Sequence, residues 1–346
     1  MLPGHVQAGP EDTVGEDLRR GVGVTGEAGE RRPLGHCDGA HSTVRRLAGI
    51  SAHRTVHPYD VLSVDARIDA GPQQPWSHWG RDGMVLLLPF GDGRWRLVLY
   101  PYRQLATGGT PGAPDDTGPA EELLRRITGR DLALGEVEWI SHYRCEHRHA
   151  ARYRHHRVVL AGDAAHVHPP TGGQGLNTGI ADAMSLGWRL AAAVADPAHD
   201  RLLDAYAEER RRAACRVMRL TGAMLRFNAT PALWGHALRV AGLGVARLPP
   251  VRRRLAAALA GLPGSGASTG ARVRSGARAP DVPLLPTPRS PHRRLFEALR
   301  TGHHVHLLPV CGTPDPRAAT SALPLLTVRT DAYRQAHVVR PDGHFL

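Results

Sequence analysis

Lysine is absent from this 346-residue chain: all 44 basic residues are arginine, set against 32 acidic ones for a formal charge of +12. Basicity of one residue type reads as a compositional bias rather than a surface selected for polyanions. Runs such as Glu208–Arg212 sit at helical spacing among Glu and Ala, as on a solvated helix face. A nucleic-acid partner is therefore not expected, and a basic nucleic-acid binder ranks third among the readings. Cysteine is scarce as well. Cys37, Cys145, Cys215 and Cys311 lie far apart, which excludes a disulfide framework and a CxxC metal site. No apolar run reaches the length of a bilayer span, and Met1–Pro10 lacks the apolar core of a secretory signal. No membrane partner and a cytoplasmic location are expected. What is there, 42% hydrophobic residues with 39 Gly and 28 Pro, describes a turn-rich globular chain of two or three domains. Disordered and fibrous classes are excluded.

The first fifty residues are rich in Gly, Arg and Glu. From His57 to Tyr102 the pattern turns β-like: Val61–Ile68 alternates, Met84–Phe90 is an apolar run, and Arg94–Tyr100 alternates again after the turn Gly91-Asp92-Gly93. This reads as a hairpin within an antiparallel sheet. Residues 107–119 read as a linker and Ala120–Arg130 as a short amphipathic helix with Leu123, Leu124 and Ile127 on one face. Arg157–Ala161 is a buried strand of the parallel-sheet type. Helices are expected over Asp182–Val194, Asp200–Phe227 and Pro231–Leu262, a linker over Pro263–Gly276, a helix at Arg294–Arg300 and a strand at Val305–Val310.

The chemistry concentrates between Arg157 and Ala191. A buried strand ends at Gly162-Asp163, and a Pro/Gly loop then opens a helix. Ligands of open α/β sheets bind at such a strand end. Asp163 there can accept hydrogen bonds from sugar-like hydroxyls. Gly172, Gly173 and Gly175 let backbone N–H groups approach a planar or anionic ligand. The helix start beyond them suits a group that becomes negative on reduction.

This segment resembles the flavin-ribityl motif of the FAD-dependent aromatic hydroxylases, the class A flavoprotein monooxygenases, and most of all the branch acting on polyketides in antibiotic pathways. The match runs through Gly162, Asp163, Ala164, Ala165, His166, Pro170, Gly173, Gln174, Gly175, Asn177, Asp182, Ala183, Leu186 and Trp188. The resemblance implies that Asp163 binds the ribityl chain and that Pro170–Asn177, including Gly172 and Leu176, hold the isoalloxazine ring. A second match, Cys37 to Arg46, resembles the family's Asp-Gly motif. It implies FAD contacts, and help in placing NAD(P)H, from Asp38, Gly39, Ser42 and Arg45. Here one extra residue, His36, stands between Gly35 and Cys37. The block His57–Tyr102 takes the place of the family's substrate-binding sheet, with Trp76 and Trp79 as candidates to line an aromatic pocket. Gly276–Leu284 and Val339–Gly343 resemble the start and finish of its thioredoxin-like C-terminal domain.

The family opens with a strand–GxGxxG–helix unit. A literal Gly21-Val22-Gly23-Val24-Thr25-Gly26 occurs here without the buried strand before it or the apolar helix after it. The chain is thus expected to be an N-terminally truncated member. Its fold class is expected to be α/β: an incomplete FAD-binding Rossmann-like domain with an inserted antiparallel β-sheet substrate domain and a thioredoxin-like C-terminal domain. The expected divisions are 1–52, 53–148, 149–262 and 272–346.

His142, Cys145, His147, His149, His155 and His156 crowd together, yet their spacing fits no zinc pattern, so solvated histidines and no metal are expected. The reading is a monooxygenase that uses FAD, NAD(P)H and O2 to hydroxylate a small aromatic, polyketide-like substrate. No catalytic side chain is named, because the hard chemistry belongs to the flavin. The alternative is a non-catalytic homologue that binds an aromatic ligand or a partner without tightly held FAD. A homodimer is the assembly kept open.

Overall fold

The structure, a computed structural model, describes residues 34–68, 71–72, 74–102, 118–229, 233–259, 275–285, 291–311, 313–319 and 323–346. The glycines at 21–26 and most of the 107–119 and 263–276 linkers lie outside the described residues. In chain order come β1 (Leu34–His36), α1 (Thr43–Leu47), β2 (Ala52–Arg67), β3 (Trp76–Trp79), β4 (Gly83–Pro89) and β5 (Arg94–Pro101). Next are α2 (Gly118–Thr128), β6 (Val137–Ala150), β7 (Arg154–His155), β8 (Val158–Leu160), β9 (His166–Val167), α3 (Gln174–Ala195) and α4 (Arg201–Ala229). The chain continues through α5 (Leu233–Arg247), α6 (Pro249–Leu259), α7 (Leu295–Leu299), β10 (His304–Pro309), α8 (Pro316–Ala319), β11 (Leu325–Thr330) and β12 (His337–Val339).

The largest sheet is antiparallel, in the order β3-β4-β5-β2-β6-β9. Strand alternation sends Leu62, Val64, Val85, Leu87, Leu97 and Leu99 to one face, where Ala120, Leu123, Leu124 and Ile127 of α2 close the core. The opposite face packs Val61, Met84, Tyr100 and Cys145 on Leu225 of α4. With both faces covered, the polar positions of β2 are buried too. Ser63 and Asp65 are inside, and Arg96 meets Asp65 with two hydrogen bonds of 2.8 and 2.7 Å. The second sheet is β1-β8-β7, with β1 parallel to β8. The third, β11-β10-β12, is mixed and carries a separate core that includes Val282, Leu295, Val305, Val328 and Phe345.

Three expectations change. Of the histidine-rich segment, His142, Cys145, His147 and His149 lie on the long strand β6, paired with β2 from Ala52↔Ala150 to Ala66↔Val137, whereas His155 is on β7 and His156 is exposed in the turn after it. That pairing brings His147 to His57 across the strands at 2.7 Å, while His149 meets Tyr153, just beyond the end of β6, at 3.2 Å. The stretch expected as one helix over Pro231–Leu262 is two, α5 and α6, because Pro249 and Pro250 cannot continue the helix before them. Helix α3 begins at Gln174, so Gly175, Leu176 and Asn177 belong to its first turn.

Candidate functional site

Strand β8 is wholly buried between β1 and β7, and the chain leaves it through Ala161, whose N–H is taken by the His36 carbonyl at 2.8 Å. Gly162 then turns with φ +58, a conformation costly for any residue bearing a Cβ. Its N–H is accepted by Asp182 Oδ2 at 3.0 Å. Asp182 is fully buried. The same oxygen accepts the His166 Nε2 proton at 2.6 Å, and Oδ1 accepts from Arg210 Nε at 2.6 Å. Burial raises the Asp182 pKa, but the His166 hydrogen bond and the His166 and Arg210 charges outweigh it, so the group lies below its ordinary value. Arg210 stands inside the Glu208–Arg212 run. That run is therefore not simply a solvated face: Glu208 and Arg212 pair at the surface, while Glu209 and Arg210 point into the structure.

The loop after β9 reaches Gly173, again with positive φ, and no side chain caps α3 there. The first-turn N–H groups of a helix without such a cap remain available to a ligand. Facing this corner is the turn after β1. Asp38 accepts from Ser42 Oγ at 2.5 Å and from the Val44 N–H at 3.1 Å, and Ser42 caps α1 by accepting the Arg45 N–H at 2.9 Å. Burial pushes the Asp38 pKa up, yet those hydrogen bonds bring it below its ordinary value. The buried Arg45 guanidinium crosses to the other motif, donating to the Ala164 carbonyl at 2.7 Å and to the Ala40 carbonyl at 3.2 Å.

Between the two motifs and the sheet lies a cavity of about 1080 Å³. Of the residues expected to bind cofactor, it brings together Gly39, Gly162, Asp163, Pro170, Gly173, Gly175 and Leu176. Asp38, Ser42, Arg45, Gly172 and Asn177 do not line it. The first three brace the Asp-Gly turn and fasten it to the ribityl loop. Trp76 and Trp79 do not line it either: Trp76 packs on the core beneath α2 and Trp79 on the α4 side of the sheet. Leu176, Ile180, Leu186 and Leu190 give the α3 wall an apolar stripe, in which Leu176 is 77% exposed. His168 also lines the cavity. Burial lowers its pKa, so it is neutral near pH 7, and its Nε2 is buried without a hydrogen-bond partner among the described residues. The sheet contributes Tyr143, Arg144, Cys145 and Glu146 from β6. The sequence singled out only Cys145 among them, as part of the histidine cluster weighed for a metal, because the pairing with β2 that aims all four joins residues more than eighty positions apart.

Helices α3 and α4 are also tied to the loop after β12. Arg340 makes a bidentate pair with Glu209 at 2.8 and 2.9 Å, and Trp188 Nε1 donates to Asp342 Oδ2 at 3.2 Å. Arg189 joins Glu209 at 2.8 Å. Burial raises the Asp342 pKa, but hydrogen bonding to His344 and the Arg340 charge hold it well below the usual carboxylate range. Among the described residues, no group of three or more side chains could hold a metal ion, and no helix is long and apolar enough to cross a membrane.

Residues 35–221 match the model of a family described as FAD binding domain. The chain is 34% identical over 323 residues to an uncharacterized aromatic compound monooxygenase, YhjG, of Bacillus subtilis, covering 89% of this chain and 62% of that protein. It is 32% identical over 370 residues to a 12-dehydrotetracycline 5-monooxygenase/anhydrotetracycline 6-monooxygenase of Streptomyces rimosus, covering 92% of this chain and 72% of the relative. Its fold superposes, with a TM-score of 0.72 and 30% identity, on the solved structure of a Diels-Alderase, PyrE3, from the biosynthetic pathway of pyrroindomycins. That match covers 90% of this chain and 65% of the solved one.

Proposed function

Since this chain belongs to the FAD binding domain family, we propose that its cavity holds the flavin and ribityl part of FAD beside an aromatic substrate. The activity we infer is an NAD(P)H- and O2-dependent hydroxylation of a polyketide-like ring. The residues present fit that group. The exposed Asp163 carboxyl lines the wall for ribityl hydroxyls, and an uncapped helix start lies beside it for the ring. The volume, about 1080 Å³, sits at the upper end of ligand cavities, roughly 300–1,000 Å³. Bound there, FAD would supply the redox and oxygen chemistry.

The chain's own residues orient and shield. With FAD bound, Asp163 would fix the ribityl chain and the α3 N-terminus would favour negative charge on the group held beside it. Leu176, Ile180, Leu186 and Leu190 exclude water from it. Residues 272–346 act as the thioredoxin-like unit, fastened through Arg340 and Asp342, and the divisions 1–52, 53–148 and 149–262 complete the architecture.

The observation that carries this reading is that two motifs more than a hundred residues apart converge on one cavity, stitched by Arg45 to the Ala164 carbonyl. The test is direct. The full chain, purified and given FAD, is expected to retain it near stoichiometry with flavin absorbance, and to oxidise NAD(P)H faster when a planar polyphenol is added. A colourless protein indifferent to FAD refutes the reading. The likeness to a Diels-Alderase favours one second reading, in which the apolar wall folds a substrate for cyclisation. Turnover without NAD(P)H or O2 would identify it.

A further inference from the structure

The sheet side of the cavity carries a charge that the reading above leaves unused. Arg144 lines the cavity from β6, with 45% of its side chain exposed. Its cross-strand partner is Asp60, whose side chain is 1% exposed and whose Oδ1 takes the guanidinium Nε at 3.2 Å. The pair stands at a bulge: between Val56↔Glu146 and Asp60↔Arg144, three residues of β2, His57 to Tyr59, oppose only Cys145. Bulges re-aim side chains, and Pro58 within this one gives up no ladder hydrogen bond. Here the bulge sets a buried carboxylate beside an arginine that faces open space.

The rest of the wall makes Arg144 stand out. Glu146, two positions on, is met on both oxygens, by Arg54 at 2.5 Å and by Arg148 at 2.7 Å. His36 and His168 are both lowered by burial and carry no charge near pH 7. Arg144 uses only Nε, and its terminal nitrogens have no partner among the described residues. An arginine fixed at Nε still presents the planar edge that grips an oxyanion, which a lysine in its place could not do.

We propose that Arg144 determines which substrates this cavity takes, receiving an anionic or enolic ring oxygen on its outer edge while buried Asp60 fixes its direction. The proposal rests on the flavin reading, because it places the substrate between the sheet wall and the ring. Asp60 is then a positioning residue, and Arg144 the one that touches substrate.

The FAD-loaded full chain is titrated with 2-hydroxy-1,4-naphthoquinone, an anion at neutral pH, and with its neutral O-methyl ether, following the perturbation of flavin absorbance. Wild type is expected to prefer the anion by roughly tenfold or more, the yield of one charge-assisted pair. Arg144→Gln is expected to bring the two probes within about twofold while FAD retention stays as in wild type, and Arg144→Lys to keep part of the preference. Asp60→Asn should shrink the preference without abolishing it. The assignment is overturned if wild type shows no preference, if Arg144→Gln keeps it, or if that variant instead slows flavin reduction by NADPH with the preference intact. Failure of wild type to take up FAD overturns the flavin reading and this proposal together.

Discussion

Replacing Asp182 by Asn removes one charge and one acceptor from the most enclosed polar group of the site. The carboxylate accepts three hydrogen bonds, from Gly162 N, His166 Nε2 and Arg210 Nε. An amide has one oxygen. If that oxygen stays with Gly162 and His166, the amide NH2 confronts the Arg210 donor and leaves a buried guanidinium uncompensated, at a cost of about 3–5 kcal/mol. For a chain of this size that corresponds to a fall in Tm of roughly 4–7 °C, followed by circular dichroism of the flavin-free protein. Arg210→Met in the Asp182→Asn background removes the stranded charge, so the double variant should recover part of the loss, a non-additivity of about 1–3 kcal/mol. The sign with pH is also fixed. Asp182 lies below its ordinary value in the fold, so its contribution is present above the unfolded carboxylate pKa, about 3.9, and fades as pH falls through the lower folded value. The gap between wild type and variant should therefore narrow below roughly pH 4. A loss under about 1 kcal/mol, or additive single and double variants, would refute the reasoning.

Two other outcomes follow from the geometry. Asp163→Ala should weaken flavin retention by about tenfold or more while leaving Tm within about 1–2 °C, since the side chain is exposed and braces nothing among the described residues; fluorescence titration with FAD decides it. Arg340→Ala leaves the partly buried Glu209 with Arg189 as its remaining partner and should cost about 1–2 kcal/mol. It should also make cleavage between α6 and β10 faster in limited proteolysis, and an unchanged digestion pattern would show that the Arg340–Glu209 pair does not fasten the C-terminal unit.

What the sequence made legible was local. Gly162-Asp163, the glycines before α3 and the Asp38-Gly39 turn are patterns within a few residues; of these, Gly39, Gly162, Asp163 and Gly173 line one cavity, while Asp38 and Gly172 stand back from it. The hairpin β4–β5 was equally readable, because alternation and a Gly-Asp-Gly turn are short-range signals. What stayed hidden depends on distant pairing. Strand β6 carries His, Arg and Glu at half of its positions and shows no apolar alternation along its length, so its register with β2 is what makes it a strand. The same blindness covers Asp182 and His166, which lie within the ribityl match without an assigned role until the fold brings Gly162 and Arg210 to them. It covers Glu209 as well, read as a surface charge but engaged by Arg340 from 131 positions away.

The long ribbon of β2 and β6 is bolted at its base to the corner after β8, where the Ala150 N–H meets the Ala165 carbonyl at 2.8 Å and the Ala151 N–H meets the Ser51 carbonyl at 2.9 Å. The sheet is thus carried on two rails rather than a tether, and the ceiling of the cavity stands as high as the rails are long. Such a ceiling cannot be raised gradually. One added residue on each rail lifts it by about 3.4 Å but turns every side chain to the wrong face, whereas two on each lift it by about 7 Å and restore the faces. Room for a larger ring system therefore comes in whole rungs, counted off the ladder that starts at Ala52 and Ala150.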